Sequence, residues 1–264
     1  MVGVAAWLTA LALLIWLWVG YPALPDMIAD RPVYEDMTEL DLRECGLADL
    51  SLLETLTNLE TLDLSGNPFS DLTPLGSLIH LRVLTIDNGH IGDLTPLREL
   101  TDLDGLYLSS NWISDLSPLG ALANLRSLSL SDNQVDDLTP LEALTQLEFL
   151  SLGGNLIGDV APLAALTNLA TLFLYYNEIS DVTPLAALTG LTELWLDYNQ
   201  ISDVTPLAAL TGLTELWLDG NQISDVKPLI SLTQLTSLRL SGNPLAQSQI
   251  DELQAALPGC EIEF

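Results

Sequence analysis

One stretch of this chain is written twice. Residues 179–200 read ISDVTPLAALTGLTELWLDYNQ, and residues 201–222 repeat them with one change, Tyr198 against Gly220. The pair belongs to a period of 22 residues that runs without insertion from Leu40. An asparagine marks it at Asn67, Asn111, Asn133, Asn155, Asn177, Asn199, Asn221 and Asn243. The same register falls on Cys45 in the first turn and on Gly89, beside Asn88, in the third. A fixed period over ten turns restricts the chain to a stack of like units, each touching only its neighbours.

Within a unit the local code is readable. In LTELWLDYN, Leu194 and Leu196 alternate with Trp195 and Asp197. A period of two predicts a strand with one buried face. One short strand cannot bury that face alone, so successive turns are expected to stack into a parallel sheet. Each Asn offers two donors and an acceptor to the buried turn that follows, and stacked amides would form a ladder. Cys45 and Gly89 interrupt that ladder. Next comes DVTPLAALTGL, read as a Thr N-cap with Pro at the first position of a short helix or 3-10 turn. At the end, residues 248–257 predict a capping helix with Ile250, Leu253 and Leu257 on one face, followed by a short strand holding Ile262.

The repeat L-x-x-L-x-L-x-x-N-x-I-x-D-[LV]-T-P-L-x-x-L-x-x resembles a leucine-rich repeat. It is similar to the short 22-residue type of internalin-like bacterial surface proteins and of a phosphatase-regulating group. The resemblance covers residues 37–264. It implies an α/β solenoid, a leucine-rich repeat horseshoe with a parallel concave β-sheet and short 3-10 or helical convex segments. It also implies a protein-binding role for the concave face. Unlike the longer internalin-like members, the sequence shows no N-terminal helical cap, no immunoglobulin-like domain and no cell-wall sorting motif.

Residues 2–20 carry no charged side chain, and as a helix they would extend roughly 28 Å, enough to cross a bilayer core. Trp16, Trp18 and Tyr21 cluster at the end of this segment, where aromatics favour a membrane interface. Two readings stand, an uncleaved signal anchor and a cleaved signal peptide. Both place the repeats outside the cytoplasm, membrane-anchored or secreted. Residues 21–36 read as a linker, 37–247 as the solenoid and 248–264 as the cap. An intracellular scaffold or phosphatase-regulatory protein is the reading that remains if the first segment does not direct export.

Seven Lys and Arg stand against 36 Asp and Glu, a formal charge of −29. Such a chain repels phosphate backbones and excludes nucleic acid as a partner. Asp49, Asp71, Asp93, Asp115, Asp137, Asp159, Asp181, Asp203 and Asp225 repeat at one position. Each either accepts hydrogen bonds from its own turn or joins a row of calcium sites. Cys45 and Cys260 lie too far apart along the stack for a disulfide and read as buried apolar residues. No nucleophile–base pair, phosphate loop or metal-ligand spacing is present, so no catalysis, metal or cofactor is expected.

The expected contact surface lies among the outward strand positions. Phe149, Phe173, Tyr175, Trp195 and Trp217 crowd successive turns, with Tyr176 and Tyr198 beside them. Glu193, Asp197, Glu215 and Asp219 flank the two Trp. The leucine positions already supply a core, so this aromatic and acidic strip reads as a partner-binding surface. A protein with a basic contact surface would meet it by cation–π contact and ion pairing. A glycan is the rival ligand.

Overall fold

A computed structural model describes residues 26–28, 31–34 and 36–264. The chain divides into two compact units, Met1–Tyr34 and Glu35–Phe264. In the first, β1 (Asp26–Ile28) and β2 (Arg31–Val33) pair antiparallel, inside the stretch read as a linker. The helix expected over residues 1–20 lies outside the described residues. Among the described residues, no helix is long and apolar enough to cross a membrane.

The second unit is a solenoid around one parallel sheet of eleven strands, paired strictly in sequence order. Ten strands lie one repeat apart. They are β3 (Glu39–Asp41), β4 (Thr61–Asp63), β5 (Val83–Thr85), β6 (Gly105–Tyr107), β7 (Ser127–Ser129), β8 (Phe149–Ser151), β9 (Thr171–Phe173), β10 (Glu193–Trp195), β11 (Glu215–Trp217) and β12 (Ser237–Arg239). A last strand, β13 (Glu261–Glu263), closes the row. Each strand is three residues long, with its central residue facing inward. Leu194 and its counterparts Leu172 and Leu216 are 0% exposed. The other apolar positions of the turn, among them Leu185, Leu188, Leu191, Leu196 and Ile201, are equally buried. At about 1.5–3 kcal/mol for each fully buried side chain, this repeated leucine packing is the main stabilising term.

The asparagine ladder forms as expected. Asn199 donates through Nδ2 to the carbonyls of Leu174 (2.9 Å) and Leu196 (3.0 Å), and its Oδ1 accepts from the N–H of Ile179 (3.0 Å). One side chain thus ties two adjacent turns. At Gly89 the ladder skips a rung. Asn88 takes a left-handed φ of 55° and bonds Ser109 through its backbone N–H. Asn111 fills the vacated space, since its Oδ1 lies 2.8 Å from where a Gly89 Cβ would stand.

Opposite the sheet run short 3-10 turns such as Thr183–Ala187 and Thr205–Ala209. The expected Thr N-cap is not what starts them. Thr183 is already the first helical residue, and its N–H donates to Asp181 Oδ1 at 2.8 Å. All nine aspartates of the row receive the N–H two residues on, at 2.8–3.0 Å. As the first N–H of the 3-10 turn it has no acceptor within the turn, and the Asp carboxylate two residues back supplies one. The hydroxyl and N–H donors of the Ser or Thr hold Asp49, Asp71, Asp93, Asp115, Asp137, Asp181 and Asp203 below the usual carboxylate range. The row is therefore structural in the first instance. Among the described residues no group of three or more His, Cys, Asp or Glu converges to hold an ion.

The C-terminal cap is helix α1 (Gln247–Ala256). Leu253 and Leu257 are buried beneath it, and Gln249 Oε1 accepts the N–H of Val226 in the turn it covers (3.0 Å). The two cysteines depart from expectation. Both are partly exposed, each in an end turn of the solenoid.

Candidate functional site

Strand alternation sends Leu194 inward and leaves Glu193 and Trp195 half-exposed on the sheet face. Because the strands pair in register, the same repeat position forms a column across the sheet. Phe173, Trp195, Trp217 and Arg239 share one column on β9–β12. Parallel strands lie about 4.8 Å apart, close enough for rings one column position apart to stack with a slight tilt. Phe173 stacks on Trp195 at 4.0 Å and 22°, and Trp195 on Trp217 at 3.8 Å and 4°. Phe149 belongs to the neighbouring column and meets Phe173 edge-on at 5.6 Å, a diagonal contact.

This geometry corrects one expectation. The inner rings spend their faces on each other, so they do not offer them to a partner's cation. The cation at the end of the ladder comes from the chain itself. The Arg239 guanidinium lies 4.7 Å over the Trp217 ring. Its Nε is 2.9 Å from Asp219 Oδ2 and 3.4 Å from Glu263 Oε2, close enough for ion pairs though not aligned for a hydrogen bond. Sequence reading missed Arg239, although counting 22 residues on from Trp217 reaches it.

The acidic residues divide. Glu193 and Glu215 are half-exposed and directly opposite each other on β10 and β11. Asp197 and Asp219 do not rim the strip, since each is only 6% exposed. Asp197 Oδ1 accepts the Asp219 N–H at 3.0 Å, and Asp219 Oδ1 accepts the Ser241 N–H at 2.7 Å. The short strands end before this position, so a side chain completes the hydrogen bonding. Asp87 does the same for Ser109 at 2.7 Å. Burial, reinforced by nearby Asp219, pushes Asp197 up to about 6. Among the described residues no cation lies within ion-pair distance of Asp197. The indole N–H groups of Trp195 and Trp217 are buried without a hydrogen-bond partner there.

The tyrosines stand on the adjacent turn. Tyr175 lies over Gly153, where a Cβ would collide with its ring. Tyr176 and Tyr198 stack face to face at 4.4 Å and 2°, and are 57% and 49% exposed. Their backbone is unusual, with φ of 52° and 54°. Every turn takes the left-handed region here, and Gly66, Gly154, Gly220 and Gly242 fill it without strain. A tyrosine there costs about 1–2 kcal/mol. Glu44, Asn88, Ser110 and Asp132 take the same conformation in other turns, so what sets the tyrosines apart is the exposed stacked pair they present there. Together the three tyrosines, Trp195 and Trp217 line an open pocket of about 250 Å³. Asp197, Asp219 and Arg239 complete its lining.

The sequence-derived site residues are thus brought together on β8–β11 and the turns after β9–β11. The comparisons agree with the fold. The family model for leucine-rich repeats in two copies matches residues 36–77, 101–143, 123–165, 145–187, 167–209 and 211–255. No curated protein matches the chain. Among solved structures, the chain is similar to an internalin, InlF, of Listeria monocytogenes. Identity is 35% over 88% of this chain and 69% of that one, with a TM-score of 0.82. It also resembles internalin C2 of the same organism (37% identity, 69% and 80% covered, TM-score 0.66). A leucine-rich repeat protein of Leptospira interrogans matches at 28% identity over 85% of this chain and 60% of that one, with a TM-score of 0.81. With the repeat model covering most of the chain and an internalin matching it over more than two thirds of both lengths, the chain belongs to the leucine-rich repeat family, in its internalin-like form.

Proposed function

We propose that the chain is a non-catalytic protein-interaction module that binds a partner through the sheet face of β8–β12. The observation that carries this reading is the continuous ladder Phe149–Phe173–Trp195–Trp217 above a leucine core that is already complete. The fold does not need these rings, since β7 presents Ser127 and Ser129 at the same positions over the same core. Large, rigid aromatics gathered at one patch are the composition of binding hot spots. The tyrosine pair extends the surface at a cost in backbone strain.

Family membership supports the compartment. Residues 1–20 act as a signal anchor or a signal peptide, residues 21–36 as a tether, and the solenoid works outside the cytoplasm. The test is capture from separate surface and cytosolic fractions by the full chain, beside the Trp195→Ala/Trp217→Ala variant. A surface partner retained by the wild type and lost by the variant is the expected result. A partner held equally by both would make the ladder structural. A cytosolic partner would favour a scaffold instead.

A further inference from the structure

The two copied turns each carry a Trp–Asp unit, and the units are not in the same state. At Trp217–Asp219 the unit is filled. Arg239 covers the ring and its Nε reaches the carboxylate. At Trp195–Asp197 the ring is stacked between Phe173 and Trp217, and among the described residues the carboxylate has no cation within ion-pair distance, Arg239 acting on it only from further off. Asp197 is one of the groups lining the pocket beside Tyr175, Tyr176 and Tyr198. Burying a carboxylate without a cation is costly, and such groups are normally paired. Resting on the sheet-face reading, we infer that the pocket is a subsite for one cationic side chain, lysine or arginine, of a protein partner, with its charge at Asp197 and its stem along the tyrosines.

Size and charge agree. The pocket, about 250 Å³, is below the usual 300–1,000 Å³ of small-molecule sites. It suits a single side chain, whose methylenes pack on apolar walls while the charge reaches the polar end. The lining sets two carboxylates, Asp197 and Asp219, against the one guanidinium of Arg239, and the wider surroundings are acidic. Glu193 and Glu215 stand on the same face, and the chain carries −29 overall. The Arg239 arrangement one turn on is an internal example of how this unit receives a guanidinium. The Tyr198 ring lies over Gly220, where a Cβ would stand 2.6 Å from its Cδ1, so the glycine of the second copy makes room for the ring that walls the pocket.

The test is a titration of the full chain with Nα-acetyl-lysine methylamide, Nα-acetyl-arginine methylamide and the neutral norleucine analogue. It is followed by the indole N–H resonances of Trp195 and Trp217. The two cationic amides are expected to shift these signals saturably, and norleucine is not. Asp197→Asn keeps an oxygen for the Asp219 N–H, and should weaken the cations at least tenfold without changing the unliganded spectrum elsewhere. Arg239→Ser removes the competing internal charge and should tighten them severalfold. Equal shifts by norleucine, full affinity in Asp197→Asn, or no gain in Arg239→Ser would each overturn the inference. So would a methyl glycoside that saturates the same signals independently of Asp197. With the captured partner, loss in Trp195→Ala/Trp217→Ala but full binding in Asp197→Asn would remove the cation subsite and leave the sheet-face reading standing. Full binding in both would remove that reading itself.

Discussion

The two halves of the sheet share one interior and present different faces. Across β4–β7 and the turns after them the outward groups are mainly polar, with Val83 and Tyr107 the exceptions. Ser109 bonds Ser129 at 2.8 Å, and Ser131 bonds Ser151 at 2.6 Å. Beside the strands, Arg82 pairs with Glu60, and Arg126 with Asp104 and Glu148. Across β9–β12 the same columns hold stacked indoles, buried aspartates and an arginine. Beneath both, Leu128 and Leu194 are equally buried, and Asn133 and Asn199 make the same three bonds. The difference teaches that the fold is encoded in the leucines, asparagines and turn aspartates, while the outward columns are free to be written for another purpose. Surface ion pairs such as those of Arg82 and Arg126 contribute little, about 0–1 kcal/mol each.

The largest effect should ignore the comparison altogether. Leu128→Ala and Leu194→Ala are each expected to lose about 2–5 kcal/mol, because each opens a cavity in the same core. Chemical denaturation of the two variants checks this, and a large disparity would break the claim of a common interior. The next effect should obey the comparison. Trp195→Ala/Trp217→Ala is expected to weaken the partner by at least about 100-fold, or about 2.8 kcal/mol. Ser109→Ala/Ser129→Ala, at a hydrogen-bonded pair outside that face, should leave it within about threefold.

The carboxylates sharpen the contrast by their pH windows. The turn aspartates have lowered folded values, so their contribution is present above the unfolded value of about 3.9 and is lost as pH falls through the folded values. Asp197 is raised to about 6 and has the opposite sign. Its contribution is full below about 3.9 and is lost as pH rises through about 6. Asp197→Asn should therefore be more stable than wild type at pH 7, on the order of 1–2 kcal/mol after allowance for solvent screening. The gap should close below about pH 4. Thermal melts from pH 3 to 8 measure both windows. A gap that widens in acid would contradict the assignment.

The smallest change in stability belongs to Tyr198→Gly, which rewrites the first copy as the second. Relief of about 1–2 kcal/mol of backbone strain opposes the loss of about 0.5–1.5 kcal/mol of ring stacking. The melting temperature should move by no more than about 6 °C, while partner binding falls about tenfold. A large rise in stability with unchanged binding would show the tyrosine to be a tolerated accident.

These contrasts also explain what was legible in the sequence. The fold was, because each turn repeats one local code and ten copies average out its lapses. The cap helix and the final strand were legible by the same alternation. The aromatic strip could be located by register, but its internal contacts could not. A ring's neighbours depend on strand spacing and rotamer, so the mutual stacking of Trp195 and Trp217 had no signature. Asp197 and Asp219 read as a rim because acids normally lie at the surface. Their backbone acceptor role follows from strands that stop after three residues, which no composition reveals. Arg239 and the left-handed position of Tyr176 and Tyr198 were within reach. Aligning the turns puts Arg239 in the Trp column, and the tyrosines at a position that four of the ten turns fill with glycine.

The central claim is that the aromatic half of the sheet face, and not the polar half, makes the contact. Its most direct test is the dissociation constant of the first surface-derived partner, measured for Trp195→Ala/Trp217→Ala and for Ser109→Ala/Ser129→Ala against wild type. The account predicts a loss of at least about 100-fold in the first and less than about threefold in the second. Equal affinity in all three proteins, or a loss confined to the serine variant, would contradict it.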